Sequence, residues 1–259
     1  RSTLTAVTGL GGDFGLSGAI ASPVGGAFCG LFKNLAREYA GLQARVVDFA
    51  AGTAPAEVAA AVTAEIGAPG PVEVGWRDGR RVGVAAVAEA VPVPAGRPAA
   101  LARGNVWLVS GGARGVTAAC ALALGRKHGL RLVLLGSTRP LAVEQAWLAL
   151  DEAGLKALKG RVMVESKARG EDPRRAWRDV EKSIEIRSAM ERFRAAGVDA
   201  RYEACDLADS AAVRDLVARV ERECGPVRGV VHGAGWESAC KFEKKTPEGL
   251  EATLGPKCV

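Results

Sequence analysis

The run Val106-Trp-Leu-Val-Ser-Gly-Gly-Ala-Arg-Gly-Val116 constrains this chain more than any other stretch. Val106–Ser110 reads as a buried strand, the glycines after it as a tight turn, and Thr117–His128 as a helix. A glycine cluster means little alone, but between a strand and a helix it marks a dinucleotide site. Gly111 lets the backbone turn sharply, and Gly115 removes a side chain where a pyrophosphate would approach the helix amides. The helix N-terminus then offers unpaired N–H groups and a partial positive charge to phosphates.

Beyond this run the chain alternates. Strands are expected at Val106–Ser110, Arg131–Gly136, Asp199–Ala204 and Val227–His232, and helices at Val116–His128, Leu141–Leu158, Arg174–Ala196 and Ala211–Cys224. Such alternation implies an α/β fold with a doubly wound parallel sheet of the Rossmann kind. Lys156–Lys182, rich in Lys and Arg, reads as an insertion and is either a solvated surface or a docking site for a partner.

The first ninety or so residues carry a shorter version of the pattern. It runs strand Leu4–Thr8, helix Pro23–Tyr39, strand Arg45–Phe49, helix Pro55–Ile66, then strands Val72–Trp76 and Val82–Val87 flanking Arg77-Asp-Gly-Arg80. Pro92-Val-Pro-Ala-Gly-Arg-Pro98 breaks regular structure. The expected division is therefore 1–97, a degenerate and partial Rossmann-like unit, and 98–259, the cofactor-binding unit.

Composition excludes several classes of function. With 48% hydrophobic and 25% charged residues the chain is a soluble globular protein, with no run long enough to span a membrane and no signal peptide. It opens at Arg1, directly before a strand, and reads as a piece of something longer. The six cysteines include no Cys-x-x-Cys pair and there are only two histidines, so no metal site is expected. Reduced thiols and a cytoplasmic location are the expectation. The net charge of +6 suits an anionic cofactor or an acidic carrier protein and is too diffuse to argue for nucleic acid.

Ser110-Gly-Gly-Ala-Arg-Gly-Val-Thr117 resembles the Thr-Gly-x-x-x-Gly-x-Gly turn of short-chain dehydrogenases/reductases, with Thr117 in place of the last glycine. The order of segments resembles the ketoreductase domain of type I polyketide synthases and polyunsaturated-fatty-acid-synthase-like multienzymes, with both ends of the family pattern missing. The resemblance implies an NADPH-dependent reduction of a 3-ketoacyl group held by an acyl carrier protein, among the other domains of one multienzyme. The first half resembles that family's non-catalytic subdomain, because the places of a Tyr-x-x-x-Lys pair fall on Ala21 and Gly25.

The cofactor can be argued from charge. NAD-selective turns place an acid after the second strand, whereas Leu134-Leu-Gly-Ser-Thr-Arg139 has none and offers Ser137, Thr138 and Arg139 as donors. Arg114 matches the arginine that touches the ribose 2′-phosphate in NADPH-using members. With Ser110, Gly111, Gly112, Gly115 and Val116 of the turn, these are the expected cofactor residues. The resemblance adds Asp206 and Leu207, with Asp206 on the adenine amine and Asp209 as the next helix cap. It also adds Gly233, Ala234 and Gly235 at the end of the fourth strand. His232 is expected to be structural.

Lys257, in Leu254-Gly-Pro-Lys257, matches the family's active-site lysine and is the one expected catalytic residue; its ammonium would favour a phenolate on a partner tyrosine. Tyr39 and Tyr202 are the only tyrosines, and Gln43 and Asp206 stand four residues beyond them, so no Tyr-x-x-x-Lys or Tyr-x-x-x-Asn pair occurs. Binding of NADPH without turnover is therefore expected of the chain itself. Trp236-Glu-Ser-Ala-Cys240 replaces the Leu-Asp-Asp of one stereochemical class, which argues mildly against that class. A cofactor-binding scaffold module within a multienzyme is the alternative, and a free-standing reductase of small ketones a more distant one.

Overall fold

The computed structural model describes the chain except residues 1, 19, 21, 91–98, 236–238 and 259, and the side chains of 99 and 256–258. The expected boundary Pro92–Pro98 and Ala21 thus lie outside the described residues, as does most of Trp236–Cys240. Two compact units form. One comprises Arg1–Pro92 with Ala239–Lys245, and the other Val93–Ser238 with Thr246–Val259.

The second unit holds a four-stranded sheet of β5 (Val106–Ser110), β6 (Arg131–Gly136), β7 (Ala200–Ala204) and β8 (Val227–His232), in the order β7-β6-β5-β8 and parallel throughout. Strand alternation explains its layers. Val109, Leu132 and Leu134 point to one face and pack with Ala121 of α3 (Gly115–His128) and Ile186 and Phe193 of α5 (Pro173–Ala195). Val106, Leu108, Val133 and Leu135 point the other way, onto Leu216 and Val220 of α6 (Ser210–Cys224). The chain leaves β5 for β6 on one side and returns for β8 on the other. This makes the carboxyl ends of β5 and β8 a topological switch point, where open α/β sheets bind ligands.

The first unit repeats the plan with a sheet of β1 (Ser2–Thr8), β2 (Leu42–Phe49), β3 (Glu73–Arg77) and β4 (Arg80–Gly83), the last pair antiparallel. Phe32 and Cys29 of α1 (Gly26–Glu38) cover Val46 on one face, while Ala61 of α2 (Pro55–Glu65) covers Val47 and Phe49 on the other. Asp78 and Gly79 both take positive φ in the hairpin turn, at 49° and 69°. Asp48 is fully buried and accepts from the Thr8 hydroxyl at 2.7 Å and the Leu10 and Phe14 amides at 2.6 and 2.9 Å. A Cβ at Gly25, the place of the lysine in the Tyr-x-x-x-Lys pattern, would meet Thr8 Cβ at 3.2 Å and Leu10 Cγ at 3.3 Å, a tight fit against the end of β1.

Several element bounds differ from expectation, among them β1, which starts at Ser2 and not Leu4, and β2, which starts at Leu42 and not Arg45. The helix expected at Leu141–Leu158 begins only with α4 at Glu152 and continues to Ala168. The Leu141 amide is spent on the Ser183 hydroxyl at 3.0 Å, a single 3-10 stretch covers Gln145–Ala149, and the Asp151 carboxylate caps α4 through the Gly154 amide at 2.8 Å. The Lys156–Lys182 insertion is consequently most of a helical pair, α4 on α5, with Lys159 Nζ 5.7 Å above the Trp177 ring. Strand β4 stops at Gly83, short of Val87, and the expected Pro23 helix opens with a 3-10 turn before α1.

Candidate cofactor cleft

Strand β5 ends at Ser110, and after three intervening residues the chain reaches Arg114, the N-cap of α3. Gly111 turns at φ 68° with its amide on Leu135 O at 2.7 Å. A Cβ there would sit 2.7 Å from Gly233 O, so this position tolerates only glycine. Arg114 is the N-cap residue, extended at φ −147°, and no side chain caps the helix. The first-turn amides are therefore left for a ligand. Gly115 follows at φ 55°, exposed, with nothing within 4 Å of where a Cβ would be.

This turn forms one wall of a cleft of about 910 Å³. Gly111, Arg114, Gly115 and Val116 line it from the turn, Ser137 and Thr138 from the end of β6, and Asp206 and Leu207 from the segment after β7. Gly233, Ala234 and Gly235 complete it beyond β8. Eleven of the fifteen expected site residues thus share a single cavity at the switch point.

The other four are placed differently. Ser110 is 3% exposed and acts as a knot: its hydroxyl lies 2.8 Å from His232 Nδ1 and accepts from the Gly233 and Ala234 amides at 3.1 Å each. It ties the two strand ends that frame the cleft. Gly112 is buried, and a Cβ there would meet Val109 O at 2.8 Å and Leu134 Cδ2 at 2.9 Å. Arg139 lines a neighbouring open depression with Arg219 and Arg222. Lys257 lies in the helical backbone of α7 (Pro247–Cys258), with its side chain outside the described residues.

Local hydrogen bonds fix several of the lining groups. The Asp206 carboxylate accepts from the Ala208 amide at 3.0 Å, and Asp209 caps α6 through the Ala211 and Ala212 amides at 2.9 and 3.0 Å. Tyr202 also lines the cleft, a residue the sequence reading left out. Its hydroxyl donates to Thr138 O at 2.7 Å, and burial pushes its pKa above the ordinary range. Its proton is thus engaged in holding the β6 turn. Arg114 is paired with Glu185 of α5.

Helix α5 is the other unforeseen contributor. Arg175, Arg178, Asp179, Lys182, Glu185 and Ile186 all face the cleft. Their spacing is one helical stripe, which the sequence carries openly. The cavity is lined by Arg114, Arg175, Arg178 and Lys182 against Asp179, Glu185 and Asp206, and no acid comes from the β6 end. A cradle in which Gly111 and Gly233 exclude a Cβ, free helix amides and this set of cations fit a phosphorylated dinucleotide. Among the described residues no group of acids, cysteines and histidines could hold a metal ion. Cys29, Cys120, Cys205, Cys224 and Cys240 are all free thiols.

Comparison with known proteins agrees with this geometry. A polyunsaturated fatty acid synthase polypeptide of Thraustochytrium sp. is 30% identical over 251 residues, covering 90% of this chain. The chain spans only 9% of that relative's length. A ketoreductase domain from the bacillaene assembly line superposes with a TM-score of 0.61 at 20% identity, covering 99% of this chain and 49% of that one. A-type ketoreductases from a modular polyketide synthase give 0.61 at 22% identity, covering 98% and 45%. The family model for the KR domain matches residues 105–259, and the chain belongs to that ketoreductase family.

Proposed function

We propose that the second unit binds NADPH in the switch-point cleft and that the parent protein uses it to reduce a carrier-bound 3-ketoacyl group to the 3-hydroxyacyl product. Membership of the family implies an oxidoreductase that takes a nicotinamide cofactor. The choice of NADPH rests on one observation: the wall where the adenosine ribose would lie carries Arg114, Ser137 and Thr138 and no acid from the β6 turn. A 2′-phosphate wants such donors, and a carboxylate there would repel it. When bound, the cofactor supplies the hydride. The chain's own residues bind and orient it. The α3 amides and Gly115 receive the pyrophosphate, and Gly233 to Gly235 let the backbone come close. The Ser110 knot holds the two strand ends at fixed separation.

The first unit is read as a structural partner and the acyl carrier protein as the donor of the substrate. We read neither tyrosine as the proton donor to a ketone. Tyr39 is bonded to Glu243 in the first unit, and Tyr202 is bonded to Thr138 O. This favours a second reading for the polypeptide by itself, a cofactor-binding module without turnover.

One titration tests the proposal. Following NADPH and NADH fluorescence on addition of the protein, Arg114→Ala should raise the apparent Kd for NADPH by about tenfold and leave that for NADH nearly unchanged. Adding a 3-ketoacyl thioester surrogate should produce no oxidation of the bound NADPH. Equal effects on both cofactors would refute the assignment of NADPH, and turnover would show that the proton donor has been misplaced.

A further inference from the structure

Helix α5 presents its cleft face as a stripe at i, i+3 and i+7: Arg175, Arg178 and Lys182. Arg175 and Arg178 are exposed and Lys182 is half-buried. No carboxylate lies within ion-pair distance of any of the three among the described residues, although Asp179 and Glu185 stand on the same helix. Three unpaired cations facing one cavity repel each other unless an anion enters it. Trp177, Ile186, Ala189 and Phe193 bury the neighbouring face of α5, so the stripe is held in place and is not a mobile fringe.

The position of the stripe narrows the anion. Glu185, one turn beyond Lys182, is paired to Arg114, and the Arg114 charge is felt by the Tyr202 phenol that bonds Thr138. The α5 face therefore converges with Arg114 and the end of β6, on the side away from β8 and the Gly233–Gly235 segment. That is the adenosine end of the cleft, where the ribose phosphate of the cofactor would lie.

We propose that α5 supplies the second half of the 2′-phosphate subsite: Arg175, Arg178 and Lys182 attract and clasp that phosphate opposite Arg114, and Glu185 is the resident counterion that Arg114 gives up on binding. This rests on the NADPH reading above and deepens it by making the inserted helix a determinant of cofactor choice. Arg114 is exchanged from a carboxylate to a dianionic phosphate, so Glu185 weakens binding and sharpens the demand for the phosphate.

The test uses the whole chain and equilibrium binding. Kd is measured for NADPH, NADH, adenosine 2′,5′-bisphosphate, adenosine 5′-monophosphate and phosphopantetheine at low and high salt. The proteins are wild type, Arg175→Gln/Arg178→Gln/Lys182→Gln, the single Arg178→Gln, Glu185→Gln and, as a charge control on the same helix, Arg174→Ala. The triple variant should lose at least about tenfold for NADPH and the bisphosphate, with NADH and the monophosphate almost unmoved. Arg178→Gln should show part of that loss should the triple variant prove poorly folded by circular dichroism. Glu185→Gln should bind NADPH about two- to fivefold tighter, as expected for removal of an exposed competing charge. High salt should weaken NADPH more than NADH in wild type, and that difference should shrink in the triple variant.

Failure of the two readings is distinguishable. If wild type discriminates NADPH from NADH but the α5 variants keep that discrimination, the inference is overturned and the NADPH reading stands. If Arg174→Ala loses as much as Arg178→Gln, the effect is net charge and the inference is also overturned. If wild type binds phosphopantetheine through the stripe and shows no preference for the bisphosphate, both readings fall.

Discussion

Thr117 and Gly233 show how a residue-level departure from a family pattern is absorbed. A threonine stands where the turn pattern has its last glycine, which predicts a wider gap between α3 and the strand beside it. The structure closes the gap differently. A Cβ at Gly233 would lie 2.5 Å from Thr117 Cγ2 and 2.6 Å from its hydroxyl, so the volume added on the helix is removed from the segment after β8. Gly233→Ala alone should overpack the contact and cost about 1–3 kcal/mol. Thr117→Gly alone should cost about 0.3 kcal/mol through helix propensity, on top of its lost contact. The two should be strongly non-additive, with the double variant more stable than the sum by about 1–2 kcal/mol in denaturant melts. Simple additivity would show that the contact is not a matched pair. The same scale explains two sequence expectations. Ser110 and Gly112 belong to the turn but face inward, and a motif gives position in the chain without saying which way each side chain points.

At the scale of elements, the first unit is held by a buried ion cluster. Arg45 of β2 is 2% exposed and paired with Glu65 at the end of α2, and it also donates to Ala68 O at 2.8 Å. Glu65 receives Arg81 of β4 as well, at 2.6 Å. Strand, helix and hairpin thus meet at one carboxylate. Arg81, then Arg45, holds the Glu65 pKa below its ordinary value of 4.5. A carboxylate depressed in the folded state contributes stability that is fully present above pH 4.5 and is lost as pH falls through the folded value. Glu65→Gln should therefore destabilise this unit by about 3–5 kcal/mol at neutral pH, since Arg45 stays buried without its counter-charge. It should also flatten the acid limb of the stability curve. An unchanged acid limb would contradict the role given to Glu65. The α4–α5 pair shows where sequence reading stops. Its charged stripe was legible as spacing, but a charged period on a helix is the same for a solvated face and for a cleft wall. Only the packing of Ile186 and Phe193 against β6 decides between them.

At the scale of the molecule, the alternation of apolar strands and helices made the parallel strands legible, because both faces of the central strands β2, β5 and β6 are buried and the helices must cover them. The cleft lining was legible where it depends on backbone, at Gly111 and Gly233, where close approach leaves its mark as a missing side chain, and at Gly115, where a positive φ does. It was not legible where it depends on long side chains from a distant helix, as with Glu185 on Arg114. The central claim is that the bend between β5 and α3 receives a phosphorylated nicotinamide nucleotide. A crystal structure of the chain grown with NADPH tests it most directly. The account predicts the pyrophosphate on the amides that open α3 and the 2′-phosphate in reach of Arg114, with the Arg114–Glu185 pair opened. An empty cleft, or nucleotide bound elsewhere with that pair intact, would contradict it.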